Sequence, residues 1–211
     1  MKEYKLPEQI NIPQTIILAD GDFPSSPLAK EWLRECPYVV CCDGAANTYI
    51  RSGRMPEAIV GDGDSLLPDI KERYASLIHS EAEQETNDLS KAFRFCLSQE
   101  RKRITIMGAT GKREDHTIGN VSLLADYMEQ AEVSMMTDYG IFVPIREDSM
   151  FESYIGQQIS VFNMNSTALS AEGLAYPLSV FTNWWQGTLN EALARHFIIR
   201  TEGKVLVFRV F

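Results

Sequence analysis

Short apolar runs alternate with amphipathic stretches through the first two thirds of the chain. The apolar runs predict strands at residues 15–19, 38–42, 58–61, 77–80, 103–108 and 132–137. The intervening stretches have helical spacing, which is clearest at residues 87–99, where one side carries Leu89, Phe93, Cys96 and Leu97. Strands that alternate with helices predict a parallel sheet covered by helices on both faces.

The pattern changes after about Thr137. Strand-like segments then follow one another, separated by Gly, Pro and Asn, at residues 154–164, 166–174, 196–200 and 204–211. Because little of this part has helical spacing, it predicts an antiparallel β domain. The sequence therefore predicts an α/β fold class, with an N-terminal parallel-sheet α/β domain over residues 1–138 and a smaller all-β sandwich domain over residues 139–211.

Composition and charge narrow the possible partners. Twenty Lys and Arg against 29 Asp and Glu give a formal net charge of −9, which argues against a nucleic-acid or membrane-surface binder. No apolar run approaches the length of a membrane span. The four cysteines lack the spacing of a metal site or a disulfide framework, so we expect a reduced, cytoplasmic setting.

Carboxylates recur where the predicted strands end or the next helix begins. They are Asp20, Asp22, Asp43, Asp62, Asp64, Asp88 and Asp115. In a parallel α/β sheet these positions share the ligand-binding edge, and so many carboxylates would repel one another unless a cation lay among them. Mg²⁺ is the expected cation, because it prefers oxygen ligands and usually also binds substrate phosphates. The alternative is that each Asp only makes a turn or caps a helix.

Residues 61–66, GDGDSL, allow three readings. In an esterase, Ser65 would be the nucleophile, but no Asp lies three residues before any of the three histidines, so we reject this reading. In a haloacid-dehalogenase-like phosphatase, Asp62 and Asp64 would form the Asp-x-Asp motif, and this alternative stays open. In the third reading the two Asp bind metal and Ser65 caps the next helix. A Walker loop at 108–113 fails, because Ile106 and Arg113 stand where Gly and Ser or Thr are required.

Four segments taken in order resemble the motif series of the thiamine pyrophosphokinase family: 42–47 (CDGAAN), 60–66 (VGDGDSL), 83–92 (EQETNDLSKA) and 108–120 (GATGKREDHTIGN). The resemblance implies an α/β domain followed by a β-sandwich, and a homodimer with its sites between subunits. It also implies transfer of pyrophosphate from ATP to the hydroxyl of thiamine, releasing AMP. This sequence departs from the family pattern at Gly63, Asn87 and Lys112, and at 187–190 (GTLN) in place of Ser-x-Ser-Asn.

The resemblance and the residue chemistry together give the candidate site. Asp62, Asp64 and Asp88 are the expected Mg²⁺ ligands and catalytic groups. The expected ATP-side residues are Asp43 and Asn47 at the nucleotide or ribose, Lys112 and Arg113 at the polyphosphate, Asp115 and His116 at a helix start, and Gln84 near the substrate. Trp184 and Trp185 are expected to pack in a sheet or to form the dimer contact rather than to stack on thiamine. A nucleotide-sensing protein that lost turnover is the alternative from another class.

Overall fold

The structure is a computed structural model that describes residues 1–9, 11–81, 83 and 85–211. Its strands are β1 (Lys2–Tyr4), β2 (Ile16–Leu18), β3 (Val39–Cys42), β4 (Ala58–Gly61), β5 (Ile78–Ser80), β6 (Arg103–Met107), β7 (Glu132–Met136), β8 (Gly140–Ile145), β9 (Ser149–Glu152), β10 (Gln158–Asn163), β11 (Leu169–Glu172), β12 (Asn190–Glu191), β13 (His196–Thr201) and β14 (Val205–Val210). Its α-helices are α1 (Pro27–Glu35), α2 (Ala45–Arg51), α3 (Pro68–Arg73), α4 (Asp88–Ser98) and α5 (Glu114–Tyr127).

The chain divides into two compact units. The α/β unit comprises Ile12–Leu123 and Gln130–Asp138. The β unit comprises Met1–Asn11, Leu124–Glu129 and Tyr139–Phe211. The mixed α/β fold class predicted from the sequence is confirmed, whereas the division into domains at residues 1–138 and 139–211 stays a prediction.

The sheet of the α/β unit is parallel and runs in the order β5-β4-β3-β2-β6-β7. Strands β2, β3 and β4 are buried along their whole length, which explains why the sequence has continuous apolar runs there. The chain adds β3, β4 and β5 on one side of β2, and then β6 and β7 on the other. The strand order therefore reverses between β2 and β6, and ligands bind such sheets beside the strand ends at that reversal.

Local sequence fixes where the helices begin. Pro27 opens α1, the Ser26 side chain caps it, and the Asp138 carboxylate accepts hydrogen bonds from the Ser25 and Ser26 N–H groups at 2.8 and 2.9 Å. Pro68 opens α3, and the preceding residue is extended. The prediction that Ser65 caps this helix is wrong, because the N-cap position is Leu67, which makes no side-chain hydrogen bond to the helix.

The β unit contains two sheets, β1-β9-β13-β11 and β12-β10-β14-β8. The pairings are antiparallel except for β1, which runs parallel to β9. The sequence pattern missed β1, β8, β9 and β12. The buried Arg209 side chain of β14 lies over the Phe151 ring of β9, and its Nη1 and Nη2 donate to the carbonyls of Glu152 and Lys5 at 3.0 Å. This guanidinium thus ties the N-terminal segment to the sandwich.

The structure also bears on the cysteines and on membrane-spanning segments. Cys41, Cys42 and Cys96 are buried, Cys36 is half-buried, and all four are free thiols. Burial raises the pKa of Cys96 to about 12, so this thiol stays protonated at neutral pH. Within the described part of the chain, no helix has the length and apolar character needed to cross a membrane.

Candidate functional site

The Asp43 carboxylate lies at the end of β3 and is 4% exposed. Its Oδ2 accepts a hydrogen bond from the Ser65 N–H at 3.0 Å, whereas its buried Oδ1 has no hydrogen-bond partner among the described residues. Burial raises the pKa of Asp43, and the negative charges of Asp88 and Asp62 raise it further. The carboxylates at the ends of β3 and β4 and at the start of α4 therefore lie close enough to interact.

The loop after β4 carries Asp62 and Asp64 in a tight turn. The Asp62 Oδ1 accepts a hydrogen bond from the Asp64 N–H at 3.0 Å, and Gly63 between them adopts a left-handed φ of +77°. An ammonium donor supports this turn, because the Lys71 Nζ of α3 donates to the Gly63 carbonyl at 2.9 Å. The carboxylates are thus presented by a backbone held from the neighbouring helix.

Asn47 of α2 holds the same loop further along. Its Nδ2 donates to the Ser65 carbonyl at 2.8 Å, and its Oδ1 accepts from the Leu67 N–H at 3.0 Å. Asp43 also bonds to this loop through Ser65. The expected nucleotide contacts of Asp43 and Asn47 stay predictions, but their observed bonds fix the backbone that presents Asp62 and Asp64.

Asp88 begins α4, whose N-cap is the Asn87 side chain. The Lys91 Nζ lies 3.1 Å from the Asp88 Oδ1, and the Lys91 side chain is 4% exposed. Burial lowers the pKa of Lys91, but the hydrogen bond to Asp88 and the charges of Asp88, Asp62 and Glu83 outweigh it and leave the pKa raised. Lys91 is therefore a buried cation among the carboxylates. The sequence gives Lys91 no role, because it lies two positions from both Leu89 and Phe93 and so on the opposite side of the helix from the apolar residues.

The loops that follow β2 and β6 are joined where the strand order reverses. The Gly21 N–H donates to the Gly108 carbonyl at 2.6 Å, and the Asp22 N–H donates to the Thr110 carbonyl at 2.8 Å. A Cβ at residue 21 would lie 2.4 Å from both the Gly108 and the Thr110 carbonyl oxygens, so glycine is required there. The glycine-rich 108–113 loop is therefore fixed against the Asp20–Asp22 turn.

The cations of this loop are already paired. The Lys112 Nζ lies 3.0 Å from the Asp20 Oδ1, and the Arg113 guanidinium makes two hydrogen bonds to the Asp115 carboxylate. The hydrogen bond from Arg113 lowers the pKa of Asp115. His116 is exposed in the first turn of α5. All these side chains can reach solvent, so a polyphosphate could exchange with the carboxylates for the two cations.

Two asparagines connect the start of α4 to the same loop. The Asn87 Nδ2 donates to the Asn120 Oδ1 at 3.1 Å, and the Asn120 Nδ2 donates to the Ala109 carbonyl at 2.9 Å. Neither contact was predicted from the sequence. The predicted substrate residue Gln84 lies outside the described residues.

The two neighbouring tryptophans of the β unit, Trp184 and Trp185, differ in their surroundings. The Trp184 ring packs edge-on against Phe162, with ring centroids 6.0 Å apart. Trp185 is 73% exposed, so packing within the unit holds for Trp184 alone, and a dimer contact by Trp185 stays a prediction. Asn190, in the divergent 187–190 segment, is buried and bonds through its side chain to both the N–H and the carbonyl of Tyr176.

Comparisons with protein families match both parts of the chain. A model described as thiamin pyrophosphokinase, catalytic domain, matches residues 29–136. A model described as thiamin pyrophosphokinase, substrate-binding domain, matches residues 140–208. The two descriptions name successive domains of one family, in the order in which they occur along this chain.

Individual proteins and structures agree with that match. Thiamine pyrophosphokinase 1 of Oryza sativa subsp. japonica is 30% identical, over 49% of this chain and 49% of that protein. Thiamine pyrophosphokinase of Bacillus subtilis is 34% identical, over 39% and 40%. The chain spans about half the length of the curated relatives it matches.

Solved structures extend the similarity to nearly the whole chain. The Bacillus subtilis thiamine pyrophosphokinase structure has a TM-score of 0.77 at 21% identity, covering 93% of this chain and 98% of that one. The yeast thiamin pyrophosphokinase structure has a TM-score of 0.79 at 16% identity, covering 100% and 91%. At such identities these likenesses establish the fold.

Proposed function

The chain belongs to the thiamin pyrophosphokinase family, and we propose that it transfers pyrophosphate from ATP to the hydroxyl of thiamine, giving thiamine diphosphate and AMP. The observation that carries this proposal is the group of interacting carboxylates formed by Asp43, Asp62 and Asp88, with the Lys91 ammonium beside them. Such a group suits a reaction in which positioning and charge neutralisation supply most of the rate enhancement.

We further propose that Asp62, Asp64 and Asp88 hold Mg²⁺. Carboxylate oxygens are the ligands that Mg²⁺ prefers, and the unpartnered Oδ1 of Asp43 is a further oxygen at the same place. Among the described residues, no three or more potential ligand side chains are gathered around one point. The three carboxylates are therefore not arranged as a closed metal site, and Mg²⁺ would bind one or two of them directly, with water and substrate phosphates completing its shell. When bound, the ion would neutralise charge on the polyphosphate.

The residues of the chain then have distinct tasks. Lys112 and Arg113 would bind the polyphosphate after exchanging Asp20 and Asp115 for phosphate oxygens. The N–H groups near Asp115 and His116 at the start of α5 would add dipolar support for an anion. Asp43 and Asn47 would act by fixing the loop that carries Asp62 and Asp64, beside any contact with the nucleotide. One of the carboxylates would accept the thiamine hydroxyl proton.

We propose a homodimer through the β unit. Support comes from exposed apolar side chains in this unit, namely Tyr154, Ile155, Tyr176, Trp185, Leu189 and Leu193. A self-complementary contact would cover them, and the family resemblance implies that thiamine turnover needs it. Trp185→Glu should give a monomer by sedimentation that releases less AMP in the presence of thiamine. Full thiamine-dependent AMP release from a clean monomer would contradict the proposal.

The reaction is tested by incubating the protein with Mg²⁺, ATP and thiamine. We expect AMP and thiamine diphosphate in equal amounts, with neither product when thiamine is omitted. ATP binding by calorimetry without any AMP release would favour the nucleotide-sensing alternative instead. The nucleotide-sensing alternative is retained because the 187–190 segment departs from the family pattern. Leu189 in this segment has a left-handed φ of +62°.

The phosphatase alternative is set aside. It requires the Asp-x-Asp motif after the first strand of the parallel sheet, whereas Asp62 and Asp64 follow β4, the third strand of that sheet in chain order. The cytoplasmic setting inferred from the unpaired cysteines stays a prediction.

A further inference from the structure

The loop between β4 and α3 is held by side chains from three directions. Asp43, at the end of β3, binds the Ser65 N–H, and Asn47 of α2 binds the Ser65 carbonyl and the Leu67 N–H. Lys71 of α3 binds the Gly63 carbonyl. Among these three, the Lys71 contact is made to the residue between Asp62 and Asp64, so it acts directly on the turn that orients the two carboxylates.

The residue at position 63 makes this contact possible. A Cβ there would lie 3.2 Å from the Lys71 Nζ and 3.4 Å from its Cε. The φ of +77° would also strain any residue with a side chain. Gly63 and Lys71 therefore depend on each other: the Lys71 ammonium lies close to the position that a Cβ at residue 63 would take.

The Lys71 ammonium has no other partner among the described residues. No carboxylate lies within ion-pair distance of it in the part of the chain that the structure describes, although Lys71 and Asp64 line the same open cleft. The cleft is completed by Gly63, Leu66, Pro68 and Glu72. An ammonium that bonds to a backbone carbonyl instead of a nearby carboxylate holds the backbone and leaves the carboxylate oxygens available.

We propose that Lys71 is a positioning residue for the reaction, which acts through Gly63 to hold Asp62 and Asp64 ready for a divalent cation. This inference rests on the proposed function, because it assigns those two carboxylates to a cation. In this role Lys71 would contact neither substrate nor cation. Its effect comes from restricting the Gly63 carbonyl, since a turn that is ordered beforehand loses less conformational freedom when the cation binds.

The direction in which Lys71→Met changes the affinity for the cation distinguishes positioning of the loop from a simple effect of the lysine charge. A positive charge near Asp64 opposes cation binding, so if Lys71 acted only through its charge, Lys71→Met would tighten cation binding. If Lys71 holds the turn, Lys71→Met should weaken it, by about fivefold for one partly exposed charge-assisted hydrogen bond. Lys71→Arg keeps a cationic donor and should bind the cation within about twofold of the unchanged protein.

Two measurements on the full chain test the proposal. Hydrogen exchange of the 61–67 segment, followed by mass spectrometry without ligands, should be faster in Lys71→Met. The N–H groups of Asp64, Ser65 and Leu67 donate to the side chains of Asp62, Asp43 and Asn47, and these bonds open more often when the loop is less firmly held. Binding of Mn²⁺ with α,β-methylene ATP, followed by the paramagnetic resonance of free Mn²⁺, reports cation affinity without turnover. Lys30→Met is the matched control, because Lys30 is an exposed lysine on α1.

A double substitution adds a test of the pair itself. Gly63→Ala should weaken Mn²⁺ binding, and adding Lys71→Met to it should cost little more, since both changes act through one carbonyl. Additive losses, unchanged exchange in 61–67, or tighter Mn²⁺ binding in Lys71→Met would each overturn the proposal. Faster exchange in a protein that binds no Mn²⁺ would support the positioning of the loop by Lys71 while refuting the metal role given to Asp62 and Asp64.

Discussion

Replacing Asn47 with alanine removes both hydrogen bonds that join α2 to the loop carrying Asp62 and Asp64. The bonds measure 2.8 Å to the Ser65 carbonyl and 3.0 Å from the Leu67 N–H. A neutral hydrogen bond contributes about 0.5–1.5 kcal/mol to the free energy of unfolding. Because Asn47 is half-buried, we take about 1 kcal/mol for each bond and expect a loss of about 2 kcal/mol.

This loss corresponds to a fall in Tm of about 4–8 °C for a chain of this size, measured by calorimetry. Activity should fall by more than tenfold, since a small displacement of the loop moves the carboxylates away from the reacting phosphate. A second substitution at the same position, Asn47→Asp, tests the two hydrogen bonds separately. It keeps an acceptor for the Leu67 N–H, but it places a carboxylate oxygen against the Ser65 carbonyl and adds a charge beside Asp43. We expect it to be at least as unstable as Asn47→Ala at pH 7.

The control is Asn11→Ala, which alters an exposed asparagine for which the structure gives no side-chain hydrogen bond within its described ranges. It should leave both Tm and activity unchanged. If Asn47→Ala melted with the unchanged protein yet lost activity, Asn47 would contact the nucleotide instead of holding the loop. If it lost stability but kept full activity, the loop would not need this support for the reaction.

Two further predictions concern carboxylates. Asp62→Asn keeps the acceptor for the Asp64 N–H and removes one of the charges that raise the pKa of Asp43; we expect most activity to be lost in the AMP assay while Tm stays equal or rises. Asp138→Ala removes the acceptor for the Ser25 and Ser26 N–H groups and should cost about 1–2 kcal/mol at pH 7. Burial raises the pKa of Asp138, but the hydrogen bonds from Ser25 and Ser26 outweigh it and leave the pKa lowered. The stability that Asp138 contributes is therefore present above the unfolded-state pKa of about 4 and is lost as pH falls through the lower folded-state pKa. Urea unfolding at pH 7 and pH 3 should show the difference between Asp138→Ala and the unchanged protein shrinking, and an equal difference at both pH values would contradict this reasoning.

The sequence predicted the elements of the α/β unit best where one side or the whole of an element is buried. Fully buried strands such as β3 and β4 leave continuous apolar runs, and α4 buries a clear apolar side. The short strands β1 and β9 were missed, since three or four residues carry too little alternation to be recognised. Their pairing is parallel and joins residues 2–4 to residues 149–151, a long-range contact that no local pattern encodes.

The site was predictable in outline and unpredictable in its hydrogen bonds. Placing carboxylates at strand ends followed from the α/β pattern, and the pKa of Asp43 reflects the resulting crowding. That Asn47 would use both ends of its amide on the loop backbone depends on the distance between α2 and that loop. Ser65 shows the opposite failure: its position before an apolar pair suggested a cap, but Pro68 sets the start of α3.

The charges at this edge predict how ATP and the cation depend on each other. Lys91, Lys112 and Arg113 are each paired with a carboxylate, and Asp62 and Asp88 add to the negative field around Asp43. When ATP binds alone, its phosphates must displace Asp20 from Lys112 and Asp115 from Arg113. The phosphates are then repelled by the unpaired carboxylates. A cation held by Asp62, Asp64 and Asp88 would neutralise the negative field around Asp43 while the polyphosphate takes Lys112 and Arg113 from Asp20 and Asp115, so each ligand favours binding of the other. Because coupling is reciprocal, Mg²⁺ should tighten ATP binding by the same factor by which ATP tightens Mg²⁺ binding, and we expect about tenfold or more. Calorimetry in both orders measures this factor, and ATP affinity that is independent of Mg²⁺ would show that the carboxylates do not form part of the nucleotide site.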